Sequence, residues 1–167
     1  MKTDALAAIL WALTPENKVA CEICLATGWR IDDVLSLTRE QLERAQKSKR
    51  HGITIKEQKT GKKSTRYFSG QLLDDMAKIC GRIYVFQGQH DYRKHRTRQA
   101  VYMDLKRAKR KFNIKTNLAP HSLRKNYAVY LRQQGKSIEE IQKIFNHDNA
   151  AVTMLYALAD ELTQRNA

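Results

Sequence analysis

Cysteine is too scarce in this 167-residue chain to build a disulfide framework: there are three, Cys21, Cys24 and Cys80. Cys21 and Cys24 have C-x-x-C spacing, but they sit in an apolar helical pattern with Ile23 and Leu25, and no second pair completes a zinc site. Core thiols in a reducing cytoplasm are therefore expected. No apolar run is long enough to span a bilayer; residues 5–13 come nearest and are too short. Asp4, and the lack of a small-residue cleavage pattern before Pro15, argue against reading that run as a signal peptide. No glycine-rich phosphate loop, no internal repeat and no Asp/Glu cluster with metal-site spacing occurs. Acidic residues are also few. Seventeen Asp and Glu face 31 Lys and Arg, a formal charge of +14. A charge of that size opposes compaction of a small domain and is kept for an anionic partner, nucleic acid before an anionic membrane.

The basic residues are clustered. Residues 44–66 hold nine Lys or Arg and one acid, Glu57, and residues 93–111 hold nine more and one acid, Asp104. Two such stretches in a chain sized for one domain point to a surface that tracks phosphates.

The periodicity is mainly helical. Leu6, Ile9, Leu10 and Leu13 mark a first helix capped at Thr3 or Asp4, and Pro15 opens a second that ends at Gly28. ITIKEQ (53–58) and STRYFS (64–69) alternate as strands of a hairpin with Gly61 at its turn and Lys59, Lys62 and Lys63 at its tip. Another helix runs from about Gln71 to Cys80, and IYVF (83–86) is a short buried run. Thr97 caps a long basic helix that turns Val101, Leu105, Ala108 and Phe112 inward. After Pro120 a helix runs to Gly135, and Ser137 with Glu140 forms a capping box for the next. The fold class is mainly α with a small antiparallel β-hairpin, in one domain spanning 1–167.

Chemistry concentrates between His121 and Tyr156. His121 and Arg124 stand at i and i+3 of one helix and share a face; His147 follows, and Tyr156 comes nine positions later. Arg30 stands at a helix start, where a cation meets the unfavourable end of the dipole; that placement suggests an anion to be bound. Asp33, three residues on, is placed to hold its guanidinium.

Four blocks, in order, give the chain a likeness: TGWRIDDVLSL (27–37), QKTGKKSTRYF (58–68), HSLRKNYAVYL (121–131) and FNHDNAAVTMLY (145–156). Together they resemble the catalytic domain of the tyrosine recombinases, the phage integrase family. The resemblance implies the fold of the DNA breaking-and-rejoining enzymes and a catalytic set of Arg30, Lys59, His121, Arg124, His147 and Tyr156, with Asp33 supporting Arg30. Tyr156 would attack the scissile phosphorus and form a 3′-phosphotyrosine link. Arg30, Arg124 and His147 would stabilise the charge on the non-bridging oxygens. His121 would accept or relay the tyrosine proton, and Lys59 would protonate the leaving 5′-oxygen. The family usually has glycine before the second histidine; here stands Asn146, a type that tolerates left-handed backbone.

The expected partner is double-stranded DNA, contacted by Lys62, Lys63, Arg66, Arg96, Arg98, Lys106, Arg107, Lys109 and Arg110. No metal or other cofactor is expected, and no membrane. The free protein is expected to be a monomer and the working form a homo-tetramer on paired DNA sites, in a bacterial or phage-encoded, DNA-associated setting. No N-terminal DNA-clamping domain is visible, which fits a fragment or a short member like the fimbrial-switch invertases. Residues 159–167 are expected to be loose or to dock on a neighbouring protomer. Two other readings stand beside this one: a type IB topoisomerase-like enzyme, and a non-catalytic DNA-binding module.

Overall fold

The computed structural model describes residues 3–115 and 119–146. His147, Tyr156 and the tail from 159 lie outside those residues. The order of elements is α1 (Thr3–Trp11), α2 (Pro15–Thr27), α3 (Ile31–Leu35), α4 (Arg39–Lys47), β1 (Gly52–Lys56), β2 (Lys63–Tyr67), α5 (Gly70–Ile79), α6 (Arg98–Lys111), α7 (Pro120–Gln133) and α8 (Ile138–Ile144). Among the described residues, no helix is long and apolar enough to cross a membrane.

Helix α2 is the centre of the packing. It carries Val19, Ala20, Cys21, Ile23 and Cys24 into the core and lies against α1, α3, α5 and α7. Both cysteines of the C-x-x-C are fully buried, and desolvation pushes the Cys21 thiol up to about 12, so they are inert core groups. Gly28 ends α2 in the left-handed conformation, with φ 69°. A Cβ there would collide with the rings of Tyr127 on α7 and Phe145 after α8. The glycine thus satisfies two demands, a C-cap and a close approach, and lets two later helices reach the start of α3.

Sequence signals for helix ends are realised directly. Thr97 accepts a hydrogen bond from the Ala100 N–H, and Ser137 and Glu140 form the reciprocal capping box on α8. Asp104 of α6 accepts from the Thr14 N–H at 2.9 Å and from Asn17 Nδ2 at 2.8 Å, pinning the α1–α2 turn to α6. Phe112 departs from expectation: it is 37% exposed, because α6 has ended at Lys111 and Phe112 is its cap.

The hairpin pairs β1 with β2 antiparallel, from Gly52 opposite Tyr67 to Lys56 opposite Lys63. Both strands are displaced toward the N-terminus relative to the alternation in the sequence. Glu57 instead closes the turn, its N–H donating to the Lys62 carbonyl at 2.9 Å and its carbonyl accepting from the Gly61 N–H at 2.8 Å, and Ser69 caps α5 by accepting from the Leu72 N–H. The IYVF run contributes buried Val85 and Phe86, while Tyr84 forms an isolated bridge to Thr38 and meets the His95 ring edge-on.

Candidate active site

Helix starts build the site. Arg30 is the N-cap of α3, His121 and Arg124 lie in the first turns of α7, and Arg98 opens α6. These four, with Asp32 and Tyr102, line a cleft of about 440 Å³. The cleft thus gathers three arginines and a histidine from three elements far apart in the sequence.

Arg30 is oriented by an acid other than the expected one. Its Nη1 donates to Glu57 Oε2 at 2.6 Å, across from the hairpin. Asp33 instead accepts the Gln58 N–H at Oδ1, 2.9 Å, and ties the hairpin turn to α3; its Oδ2 has no hydrogen-bond partner among the described residues. Asp33 remains beside Arg30, but burial raises its pKa, against the Gln58 bond and the nearby Arg30 charge. Glu57 behaves oppositely. Burial works against its charge, but hydrogen bonds from Asn146, Arg30 and Thr60 outweigh that and hold the carboxyl below its ordinary value. Sequence reading missed Glu57 as a site residue. The available signal was its isolation, one acid among nine cations and two positions before Lys59.

Arg124 is 3% exposed, unlike the usual surface arginine. Its guanidinium donates to the carbonyls of Gly28 and of Phe145, the latter at 3.0 Å, and lies 4.3 Å from the centre of the Phe145 ring. His121 is more open. Partial desolvation, then the charges of Lys125, Arg124, Arg30 and Arg98, push its pKa below the ordinary 6.5. The shift favours the uncharged ring, the form able to accept a proton. Lys59 is exposed on the hairpin turn and is not part of the cleft wall. Asn146 has φ 51°, the left-handed backbone expected where the family has glycine.

Three of the expected DNA contacts also make hydrogen bonds within the fold. Arg66 is half-buried and donates to the carbonyls of Thr27, Thr65 and Ile144. Arg96 bonds Asn17 Oδ1 at 2.8 Å and pairs with Glu16. Arg107 bonds Asp104 and the Ala12 carbonyl. Each guanidinium satisfies carbonyls or acids that a sequence pattern does not show. Lys62, Lys63, Arg98, Lys106, Arg107 and Arg110 are exposed, and Lys109 is half-buried. Arg66→Ala is accordingly expected to cost about 1–3 kcal/mol of stability, with DNA affinity of the folded protein little changed. Chemical denaturation alongside DNA titration checks both, and an affinity loss at unchanged stability would return Arg66 to the DNA surface.

Buried Arg124, half-buried Arg30 and the more open His121 converge from separate helix starts on a cleft that can hold an anion with a proton acceptor beside it. The comparisons give that class a family. The Phage integrase family model matches residues 1–162. The chain is 25% identical to tyrosine recombinase XerD of Halalkalibacterium halodurans over 156 residues, 90% of this chain and 52% of the relative. It is 33% identical to a tyrosine recombinase of Thermosipho africanus over 75 residues, 45% of this chain and 25% of the relative. The catalytic domain of bacteriophage HP1 integrase superposes with a TM-score of 0.68 at 23% identity, covering 94% of this chain and 85% of that one. A lambda integrase fragment, as a dimer bound to a COC′ core site, gives a TM-score of 0.75 at 17% identity, covering 94% and 58%. At these identities the structures establish the fold. The chain belongs to the phage integrase family. It spans between a quarter and about half the length of these two curated relatives.

Proposed function

We propose that this chain is the catalytic domain of a site-specific DNA recombinase that cuts and rejoins strands through a 3′-phosphotyrosine intermediate. The observation that carries the reading is the convergence of Arg30, His121 and Arg124 on one cleft, in a chain whose fourth block supplies His147 and Tyr156. Charge builds up on the non-bridging oxygens as a phosphodiester is attacked, and guanidinium forks held before the reaction stabilise it without reorganising. Tyr156 is the nucleophile. Uncharged His121 takes or relays its proton, and Lys59, carried on the hairpin turn, protonates the departing 5′-oxygen. The phosphodiester energy is conserved in the covalent link, so a 5′-hydroxyl from another strand reverses the step.

The partner is double-stranded DNA, met by the exposed cations Lys62, Lys63, Arg98, Lys106 and Arg110 and the half-buried Lys109. A monomer when free and a homo-tetramer on paired DNA sites fit exchange between two duplexes. Incubation with a library of nicked duplexes, followed by denaturing separation of protein–DNA adducts, tests the reading. A covalent adduct is expected. DNA binding without any adduct would sink the enzyme, and plasmid relaxation by a monomer without strand exchange would favour a topoisomerase.

The state of His121 sets a pH dependence. If the neutral ring takes the proton, adduct formation is full above its pKa and falls as the ring protonates. Because that pKa lies below 6.5, the acidic limb belongs below pH 6.5. Single-turnover rates across pH check this. A limb that persists in His121→Gln would assign the proton acceptor elsewhere.

A further inference from the structure

Glu57 is 2% exposed, immediately after β1. A buried carboxylate is tolerated when its charge and lone pairs are compensated. Here both oxygens are engaged. Oε2 accepts from Arg30 Nη1 at 2.6 Å and from Thr60 Oγ1 at 3.0 Å, and Oε1 accepts from Asn146 Nδ2 at 2.7 Å. The three donors belong to three separate pieces of the site. Arg30 begins α3, Thr60 follows Lys59 in the hairpin turn, and Asn146 precedes His147 in the chain.

The segment leading to His147 is held at each step. The Ile144 carbonyl accepts from Arg66 of β2 at 2.6 Å, the Phe145 carbonyl accepts from Arg124 at 3.0 Å, and the Asn146 side chain meets Glu57. Two of those three holds come from the hairpin. Asparagine fits here for two reasons: it accepts the left-handed φ of 51°, and it supplies an amide that the glycine usual in the family lacks.

We propose that Glu57 is a positioning residue for strand cleavage, whose single carboxylate fixes Arg30, the Lys59 turn and the approach to His147 as one unit. The role rests on the recombinase reading above. Glu57 acts through Arg30 and Asn146, without itself touching the phosphate. In this chain the pairing with Asn146 replaces the backbone freedom of glycine with a hydrogen bond to the hairpin.

Glutamine and alanine at position 57 separate geometry from bulk. A glutamine carbonyl can accept from Arg30 and Thr60, and its amide can donate to Asn146 once the Asn146 amide turns over. The connections survive and only the charge is lost. Alanine removes all three.

The test is single-turnover adduct formation by the full chain on a nicked duplex, with DNA titration and thermal melting of each variant. Misplacing a reacting group by about 1 Å costs on the order of 10²-fold in rate. Glu57→Ala is therefore expected to be about a hundredfold slower at saturating DNA, with half-saturation unchanged. Glu57→Gln is expected to recover to within about tenfold of wild type, and Asn146→Gly to be about tenfold slower, since each removes part of the same unit. Groups that act as a unit are non-additive, so the loss in Glu57→Ala combined with Arg30→Ala should fall well short of the product of the two separate losses.

A wild-type rate in Asn146→Gly overturns the proposal, and does so even if Glu57→Ala does not fold. It is also overturned if the double substitution multiplies the losses, or if Glu57→Ala slows only in step with its unfolded fraction. A wild-type chain that forms no adduct overturns the recombinase reading first. A wild-type chain that forms adducts regardless of position 57 overturns the positioning role alone.

Discussion

Tyr156→Phe is expected to bind DNA with unchanged affinity and to form no covalent adduct. The substitution deletes one oxygen and leaves the rest of the ring. Affinity for duplex DNA comes mainly from neutralised phosphates, and every lysine and arginine remains. What disappears is the atom that must bond to phosphorus, and no arrangement of arginines substitutes for it. Gel retardation and denaturing adduct separation on the same nicked duplex measure the two effects. If an adduct survives, the nucleophile lies elsewhere, and the structure names where to look. Tyr102 is the only described tyrosine that lines the cleft with Arg30, His121 and Arg124. Digestion of the adduct and identification of the DNA-bearing peptide would then choose between positions 102 and 156.

Features with short sequence range were readable. Helix ends depend on the cap residue and its neighbours, so Thr97, Ser137 and Gly28 announced themselves. The hairpin was readable from its alternation and Gly61, although its strands end earlier, where Glu57 closes the turn and Ser69 caps α5. Arg30, His121 and Arg124 were readable as residue types in order, and they line one cleft. Pairings between distant elements were not. The Arg30–Glu57 pair spans a helix start and a hairpin turn, whereas i, i+3 spacing favoured Asp33 because helical neighbours are the only contacts a sequence displays. The intramolecular bonds of Arg66, Arg96 and Arg107 were equally out of reach. A basic residue that satisfies buried carbonyls and one that meets phosphate read alike until the fold fixes which side chains face inward.

Arg124→Ala is expected to abolish cleavage and also to lower stability, two effects that can be told apart. A His-x-x-Arg pair on a solvated helix face would allow the change with the fold intact. Arg124 instead is buried, with hydrogen bonds to the Gly28 and Phe145 carbonyls and its guanidinium over the Phe145 ring. Truncation leaves both acceptors without that donor and removes the cation from the ring. Hydrogen bonds to charged groups contribute about 1.5–3 kcal/mol each and a buried cation–π contact about 2 kcal/mol. Such terms overlap, so a combined loss of about 3–4 kcal/mol is expected. For a chain of this size that lowers the melting temperature by about 10 °C. Against a total stability of about 5–15 kcal/mol, most molecules remain folded at 25 °C. Unfolding alone then explains less than a twofold loss of activity, and a fall of about 10²-fold or more must come from the lost guanidinium at the phosphate. Arg124→Lys restores a charge but not the fork that reaches two carbonyls, and is expected to regain some stability and little cleavage. An unchanged melting temperature would contradict the interior role of Arg124. Cleavage that falls only in proportion to the unfolded fraction would contradict its role in the chemistry.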